Sequence, residues 1–539
     1  MNGASASPGH ATVRDSRTGT AASVPLALLS AALVIFAFPL YGARFALDHL
    51  VWIALVPLFL AARGQGGRQG FLLGWLAGLA IEGAGFIWIL FAIRTFTSLG
   101  AVGSSLVFLP WLLYSSIPWG VLGWALGRCR ESRHVFWVLP LWVGVEDWFP
   151  RLTPWHLGGA LYSRSWLLQC VDLVGASGLT ALVFLVSGAV YVLVERLRER
   201  QAIPWRSALG AVLLTAAALG YGAWRLADVR RLEGSAAPFR VAVIQGSVPP
   251  NRETTREGRL RRDRENLLRY LERSEELLRE AGDADLLVWP EGSIPVSFVF
   301  RGEQSEWGGL HTFEDGVDLW NRLRRLGVPL IAGGSAIEIQ GDEQPYYNVT
   351  VYFPSGKTPV FYRKNRPMPF GEYNPLLDLL SAKLRRRLGL DFVGNITPGT
   401  ENPLMRAGEP AFRNLICYES ILPSYMRRAA VGADYLVNIT EDYWYGHTAQ
   451  VLQDVSVLTL RTVECRTPVV RCSNVGPSGV FDSTGAFHGP GQVFEPASAV
   501  EEVRPLGVST IYQSGGHWFS LISLVLGAVL QWALRRHPA

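Results

Sequence analysis

Seven long apolar runs crowd the first 230 residues of this 539-residue chain, and an eighth closes it. They lie near 24–42, 46–62, 70–93, 99–127, 135–149, 168–195, 208–227 and 517–534. Most reach or approach the ~20 residues that an α-helix needs to cross ~30 Å of hydrocarbon. The run at 135–149 is the shortest and closes on Glu146 and Asp147, so it is expected to be tilted, partly interfacial or shielded by neighbours. With 49% hydrophobic residues and a mean hydropathy of +0.19, much of the chain is expected in lipid.

Basic residues in the short loops orient the spans. With eight crossings, Arg14 and Arg17, Arg63 and Arg68, Arg128, Arg130 and Arg133, Arg196, Arg198, Arg200 and Arg206, and Arg535 and Arg536 all fall on one side. The alternate short loops carry only Arg44, Arg94, Arg151 and Arg164. The richer side is expected to be the cytoplasm, which puts residues 228–516 outside. The expected division is a polar tail at 1–23, a seven-helix membrane domain at 24–227, an external catalytic domain at 228–516, and a last span with a short cytoplasmic tail at 517–539. Because further apolar runs follow the first, that run reads as an uncleaved span.

The net charge of +5 is small for this length, and no Lys/Arg block with interleaved aromatics suggests a nucleic-acid groove. Cys129, Cys170, Cys417, Cys465 and Cys472 show neither metal-ligand spacing nor a disulfide framework, so no metal and no cofactor are expected. Glu82, in the middle of the third run, is costly in lipid. It suggests either a packed or wet interior site or a structural partner such as an arginine.

The external stretch alternates strand and helix patterns. Strands are expected at Phe239–Gln245, Leu286–Trp289, Val328–Ala332, Tyr346–Phe353, Val360–Tyr362, Phe412–Ile416, Tyr435–Asn438, Val469–Cys472 and Gly479–Phe481. Helices are expected at Glu257–Ala281 and near 450–465, and Pro354-Ser-Gly-Lys is a hairpin turn. This is the pattern of an α/β domain, a layered sheet covered by helices.

Three segments carry chemistry. Val288-Trp-Pro-Glu291 sets a carboxylate just after an apolar strand. Tyr362-Arg-Lys364 leads through a Pro/Gly-rich turn to Pro-Phe-Gly-Glu372-Tyr. Leu415-Ile-Cys417-Tyr418-Glu419 ends an apolar strand on a thiol. Strand ends are where an α/β sheet presents reactive groups. A carboxylate of raised pKa can take a thiol proton, and an ammonium can stabilise thiolate and oxyanion. Glu, Lys and Cys are thus a complete acyl-transfer set. Each alone has a bland reading: a turn glutamate, a solvated lysine, a cysteine packed as a small core residue.

In this order, the three segments resemble the carbon–nitrogen hydrolase, or nitrilase, superfamily. Joined to seven preceding spans and one final span, they resemble its membrane-bound branch, the apolipoprotein N-acyltransferases of bacterial inner membranes. The resemblance implies an α-β-β-α sandwich beside the polytopic helical domain. It makes Glu291 the general base, Lys364 the oxyanion and thiolate stabiliser and Cys417 the nucleophile. Glu372 becomes a supporting glutamate, and Tyr418 and Glu419 flank the nucleophile, the Tyr418 N–H as a second oxyanion donor. The segment from Asn438 through Trp444 resembles a loop bordering the pocket. The implied partners are a phospholipid acyl donor, a diacylated apolipoprotein acceptor and the bilayer, with the enzyme a monomer. Two places depart from the family pattern: no Lys-Trp pair follows Gln245, and the Asn438 loop reads Thr440-Glu441-Asp442 where Ser/Thr-Asn-Asp is usual. The rival readings are a membrane-tethered amide or nitrile hydrolase and a non-catalytic transporter or lipid-handling scaffold.

Overall fold

A computed structural model of the chain describes residues 20–536 apart from 40–46, 98, 203–204, 251–252, 254, 296, 302–320, 324, 340, 342–343 and 374–395. The tail with Arg14 and Arg17, and Arg44, lie outside the described residues.

Among the described residues, all eight apolar runs are built of helices. Among the described residues three helices, Ala101–Gly127, Ala176–Arg198 and Trp205–Ser235, are individually long and apolar enough to cross a membrane. Gly67–Gly85 and Ile87–Thr95 together make a fourth candidate, bent by 50° at Phe86. Ala22–Ala37, Asp48–Ala62, Ser165–Val174 and Trp518–Leu534 are shorter apolar helices. With lipid offering no hydrophobic drive between helices, close backbone packing holds such a bundle together. Gly70, Gly74 and Gly78 recur every fourth residue on one helix and lie against Trp119, Gly123 and Gly127 of Ile117–Gly127. A Cβ at Gly70, Gly74 or Gly123 would meet the other backbone head on. Neighbours cover one side of the short helix Val135–Trp148, while Trp137 and Trp148 stay exposed. Gly144 and Gly527 let it lie directly against the final helix, Trp518–Arg536.

The strand at Phe239–Gln245 opens the second domain (β1). Twelve more follow: β2 Leu286–Val288, β3 Ser297–Arg301, β4 Leu330–Ile339, β5 Tyr346–Phe353, β6 Val360–Arg363, β7 Met405–Arg406, β8 Ala411–Ile416, β9 Tyr435–Thr440, β10 Val469–Ser473, β11 Gly479–Phe481, β12 Phe487–His488 and β13 Ala497–Val503. One sheet runs β13-β1-β2-β4-β5-β6 with β3 beside β4, and the other runs β12-β11-β10-β9-β8-β7. The central pairs β1–β2, β2–β4, β8–β9 and β9–β10 are parallel. Such strands are apolar on both faces because both faces are covered. Val241, Val243, Val288 and Ile331 meet Phe412, Ile416, Val437 and Val470 between the sheets. The opposite face of the first sheet, with Ala242, Ile244 and Leu287, packs on Leu267, Tyr270 and Leu271 of helix Arg256–Ala281. The second sheet is covered by Pro423–Ala429 and Gln450–Cys465 through Met426, Leu458 and Cys465. The result is a four-layer α-β-β-α domain.

Every expected strand and helix of this domain is present, and Pro354–Lys357 does close the β5–β6 hairpin. β4 is twice the expected length, and β3, β7, β12 and β13 lie outside the expected set.

The two domains are joined by buried charge. Arg466, fully buried at the end of helix Gln450–Cys465, donates to Asp172 Oδ2 at 2.8 and 3.1 Å and to Gln169 O at 3.1 Å. Asp172 also accepts from Tyr221 and Arg225 of helix Trp205–Ser235, at 2.8 and 2.9 Å. Glu464 accepts the Ala176 N–H at 2.9 Å.

Candidate active site

Glu291 stands on the turn just past β2. Trp289 anchors that turn: its N–H donates to Ile331 O and its indole N–H to Ser274, at 2.8 and 2.9 Å. Gly333 of β4 passes directly beneath, where a Cβ would lie 2.5 Å from Glu291 Cα. Lys364 follows β6, pinned by its N–H to Asn348 O at 2.8 Å, and its side chain is 1% exposed. Its Nζ lies 2.7 and 2.8 Å from the two Glu372 oxygens and 3.7 Å from Glu291 Oε1. Asn348 ties the two carboxylates together, donating to Glu291 Oε1 at 2.6 Å and Glu372 Oε1 at 2.9 Å. Backbone N–H groups complete the set: Glu441 on Glu291 at 2.9 Å and Met368 on Glu372 at 2.7 Å.

Cys417 follows β8 directly with φ +50°, a left-handed conformation that costs a non-glycine residue energy and clusters at functional sites. Glu419 holds that turn. Its Oε2 accepts the Ile416 N–H and the Tyr362 hydroxyl at 2.8 and 2.6 Å, and its Oε1 accepts the Asn365 and Arg366 N–H groups at 2.8 and 2.9 Å. One fully buried carboxylate thus clamps the Lys364 segment to the Cys417 segment. The Tyr418 hydroxyl donates to Leu152 O of the N-terminal helical domain at 2.6 Å. Trp444, half-buried, lies on the 3-10 turn Tyr443–Tyr445.

The electrostatics favour a neutral thiol beside an ionised lysine. Burial pushes the Cys417 thiol up, Glu291 and Asp442 push it further, and Lys364 opposes them. Burial also raises Glu291, as does Glu372, against Lys364, Asn348 and the Glu441 N–H. For Lys364, burial would lower the ammonium, but Glu291, Glu372 and Cys417 outweigh it and hold it protonated. A carboxylate lifted towards neutral pH and set beside a protonated lysine is suited to receive a thiol proton.

Sequence reasoning passes over Asn348 and gives Tyr362 and Asp442, though they lie in the quoted segments, no role of their own. Asn348 is a lone amide in an otherwise β-forming strand, and that interruption is the one signal it leaves. Glu82 sits one turn before the bend at Phe86, near the middle of the bent pair, with Arg151 as the charge acting on it. Among the described residues no His, Cys, Asp and Glu side chains group to hold a metal.

Two family models match: the apolipoprotein N-acyltransferase N-terminal domain over residues 30–189 and carbon–nitrogen hydrolase over residues 240–523. An apolipoprotein N-acyltransferase of Geobacter metallireducens is 30% identical, covering 94% of each chain. The chain belongs to the apolipoprotein N-acyltransferase family. The relative from Gloeobacter violaceus is 31% identical over 91% of this chain and 90% of its own. Among solved structures, an amidase of the nitrilase superfamily from Nesterenkonia sp. AN1 covers 51% of this chain and 94% of its own at 17% identity and a TM-score of 0.34. Members of this family are acyltransferases with a carbon–nitrogen hydrolase domain, and this chain is one.

Proposed function

We propose that this enzyme moves a fatty acyl chain from a phospholipid to the α-amino group of a lipoprotein's N-terminal S-diacylglyceryl-cysteine. Glu291 takes the Cys417 proton as Sγ attacks the phospholipid ester carbonyl. The tetrahedral oxyanion is met by Lys364 and the Tyr418 backbone N–H. Glu291 returns the proton to the departing glycerol oxygen, leaving a thioester and a lysophospholipid. The lipoprotein amine then attacks the thioester, Glu291 accepts its proton, and the proton passes to the Cys417 thiolate as the amide forms. A shared acyl-enzyme makes the kinetics ping-pong.

The observation that carries this reading is the Glu291–Asn348–Glu372–Lys364 cluster beside a left-handed Cys417, in a domain whose active-site turns rest on the membrane helices. Tyr418 bonds Leu152, and Tyr445 packs edge-on to Trp88 at 5.0 Å. A lipid donor then meets the thiol without leaving the bilayer surface. In the same reading eight spans place residues 228–516 on the periplasmic face of the bacterial inner membrane. The enzyme works as a monomer with no cofactor, Glu372 supports Lys364, and Trp444 borders the acyl pocket.

Intact-mass spectrometry of detergent-purified protein with phospholipid tests it, wild type beside Cys417→Ala. The expected result is a hydroxylamine-labile gain of one acyl chain, absent from the variant and discharged by a diacylated lipopeptide. Discharge by water alone would make the enzyme a hydrolase, and no adduct on folded protein would overturn the reading.

A further inference from the structure

The buried groups around the nucleophile include one hydroxyl with no part in the steps above. Thr440 is the last residue of β9 and is 1% exposed. β8 and β9 are parallel and their pairing ends at Ile416 and Ile439, so Cys417 and Thr440 are the next residues at neighbouring strand ends. The Thr440 hydroxyl donates to Asp442 Oδ1 at 2.9 Å. Asp442 does not depend on that bond. Its Oδ2 is held by Arg471 Nη2 at 2.6 Å and Ser473 Oγ at 2.8 Å, all three residues buried. Gly476 allows this packing, since a Cβ there would lie 2.5 Å from Asp442 Oδ2. Arg471 also donates to Asn438 Oδ1 at 3.1 Å, and Asn438 Nδ2 lies 3.5 Å from Cys417 O. Thr440 therefore stands on a rigid frame against the reacting residue.

We propose that Thr440 is a catalytic hydroxyl, donating to Asp442 while Cys417 is a thiol and donating to Sγ when Cys417 is a thiolate. The change is a rotation about the C–O bond. The thiol proton still goes to Glu291, and no proton leaves Thr440. The same donor serves the second half-reaction, when the thiolate is expelled from the tetrahedral intermediate. The need for it is electrostatic. Glu291 and Asp442 face the sulfur with negative charge and Tyr445 lies beside it, while Lys364, shared with Glu372, is the opposing cation. Arg471 is committed to Asp442, and Asp454 adds a further carboxylate beside Asp442. A hydrogen bond from Thr440 favours the thiolate in that setting.

This assignment rests on Cys417 being the nucleophile, so its test is chosen to need no substrate. The second-order rate of Cys417 alkylation by iodoacetamide is followed against pH by peptide-resolved mass spectrometry, in wild type, Thr440→Val, Thr440→Ala and Thr440→Ser. Removing a hydrogen bond to an ionised group displaces the thiolate curve upward by about one pH unit, a roughly tenfold slower reaction at a given pH below it. Valine and alanine are expected to show that displacement, and serine to restore the wild-type curve. Alanine covers the case in which valine fails to fold. A wild-type curve for alanine, or serine failing to restore it, would overturn the assignment. If wild type alkylates yet takes no acyl chain from phospholipid, the functional reading fails while Thr440 is judged on alkylation alone.

Discussion

Phe91, on the second limb of the bent helix, occupies the space that a side chain on Gly446 would need. A Cβ at Gly446 would lie 2.6 Å from the Phe91 ring, and the residue sits at φ +60°. Around this contact Trp88 packs on Tyr445 and Gln453 donates to Gly85 O at 2.8 Å, so the break in the bent helix supports the turn that carries Tyr443–Tyr445. Gly446→Ala is strained twice, by conformation and by collision. It is expected to cost about 1–3 kcal/mol locally and to slow acyl-enzyme formation at least tenfold, measured by intact mass. Phe91→Ala in the same chain relieves the collision and is expected to recover part of the rate. No recovery would separate the turn from the membrane helix.

Asn348 is the amide that lets two carboxylates share one lysine. Asn348→Ala leaves Glu291 and Glu372 without their common donor, and a hydrogen bond to a charged group is worth about 1.5–3 kcal/mol. Single-turnover acylation is expected to fall about 10- to 100-fold with little change in phospholipid half-saturation. A change in half-saturation alone would make Asn348 a substrate contact.

The pH dependence of acylation follows from the direction of two shifts. Glu291 is raised above the ordinary carboxylate value and acts as base only when ionised, so activity is lost as pH falls through its folded-state pKa. The acidic limb of the acylation rate is therefore expected above about pH 4.5, the model-compound range for a glutamate. Lys364 is raised, so its deprotonation is expected to give no alkaline limb below about pH 10. An acidic limb at or below the ordinary value would show that Glu291 is not the titrating base.

Glu419 is a structural carboxylate, and its loss should be read in stability. Glu419→Ala takes the acceptor from the Ile416, Asn365 and Arg366 N–H groups and leaves the Tyr362 hydroxyl with Tyr425 alone. Each buried orphan costs about 1–3 kcal/mol. The variant is expected to unfold several degrees lower by thermal denaturation in detergent. Unchanged unfolding with lost activity would instead move Glu419 into the reaction.

Much of this was legible in the chain. The runs Val241–Ile244, Leu286–Val288 and Leu436–Val437 are apolar on both faces, and that continuity marks strands buried in the middle of a sandwich. β13 is different: Ala-Ser-Ala-Val-Glu-Glu-Val carries two glutamates because it is an edge strand, and edges tolerate charge. β7 and β12 are two residues each, too short for any period. At the site, Glu291, Lys364 and Cys417 are legible as a set, three reactive groups just past strands, and not one by one. Asn348, Asp442 and Arg471 act across strands brought together only by folding, so their spacing along the chain says nothing. The apolar runs fall between: all are built of helices, but their breaks and the close contact of Gly144 and Gly527 between Val135–Trp148 and the final helix are not written in the hydropathy.

The buried Arg466 sets a limit on how this enzyme can be handled. Its guanidinium belongs to the sandwich and its carboxylate, Asp172, to the helices, so any cut between them bares a charge built to stay dry. Breaking such a pair costs about 3–5 kcal/mol, a large share of what a domain has to spare. The hydrolase half is therefore not a soluble enzyme hung from an anchor, and releasing it as a fragment would yield a protein missing part of its own interior.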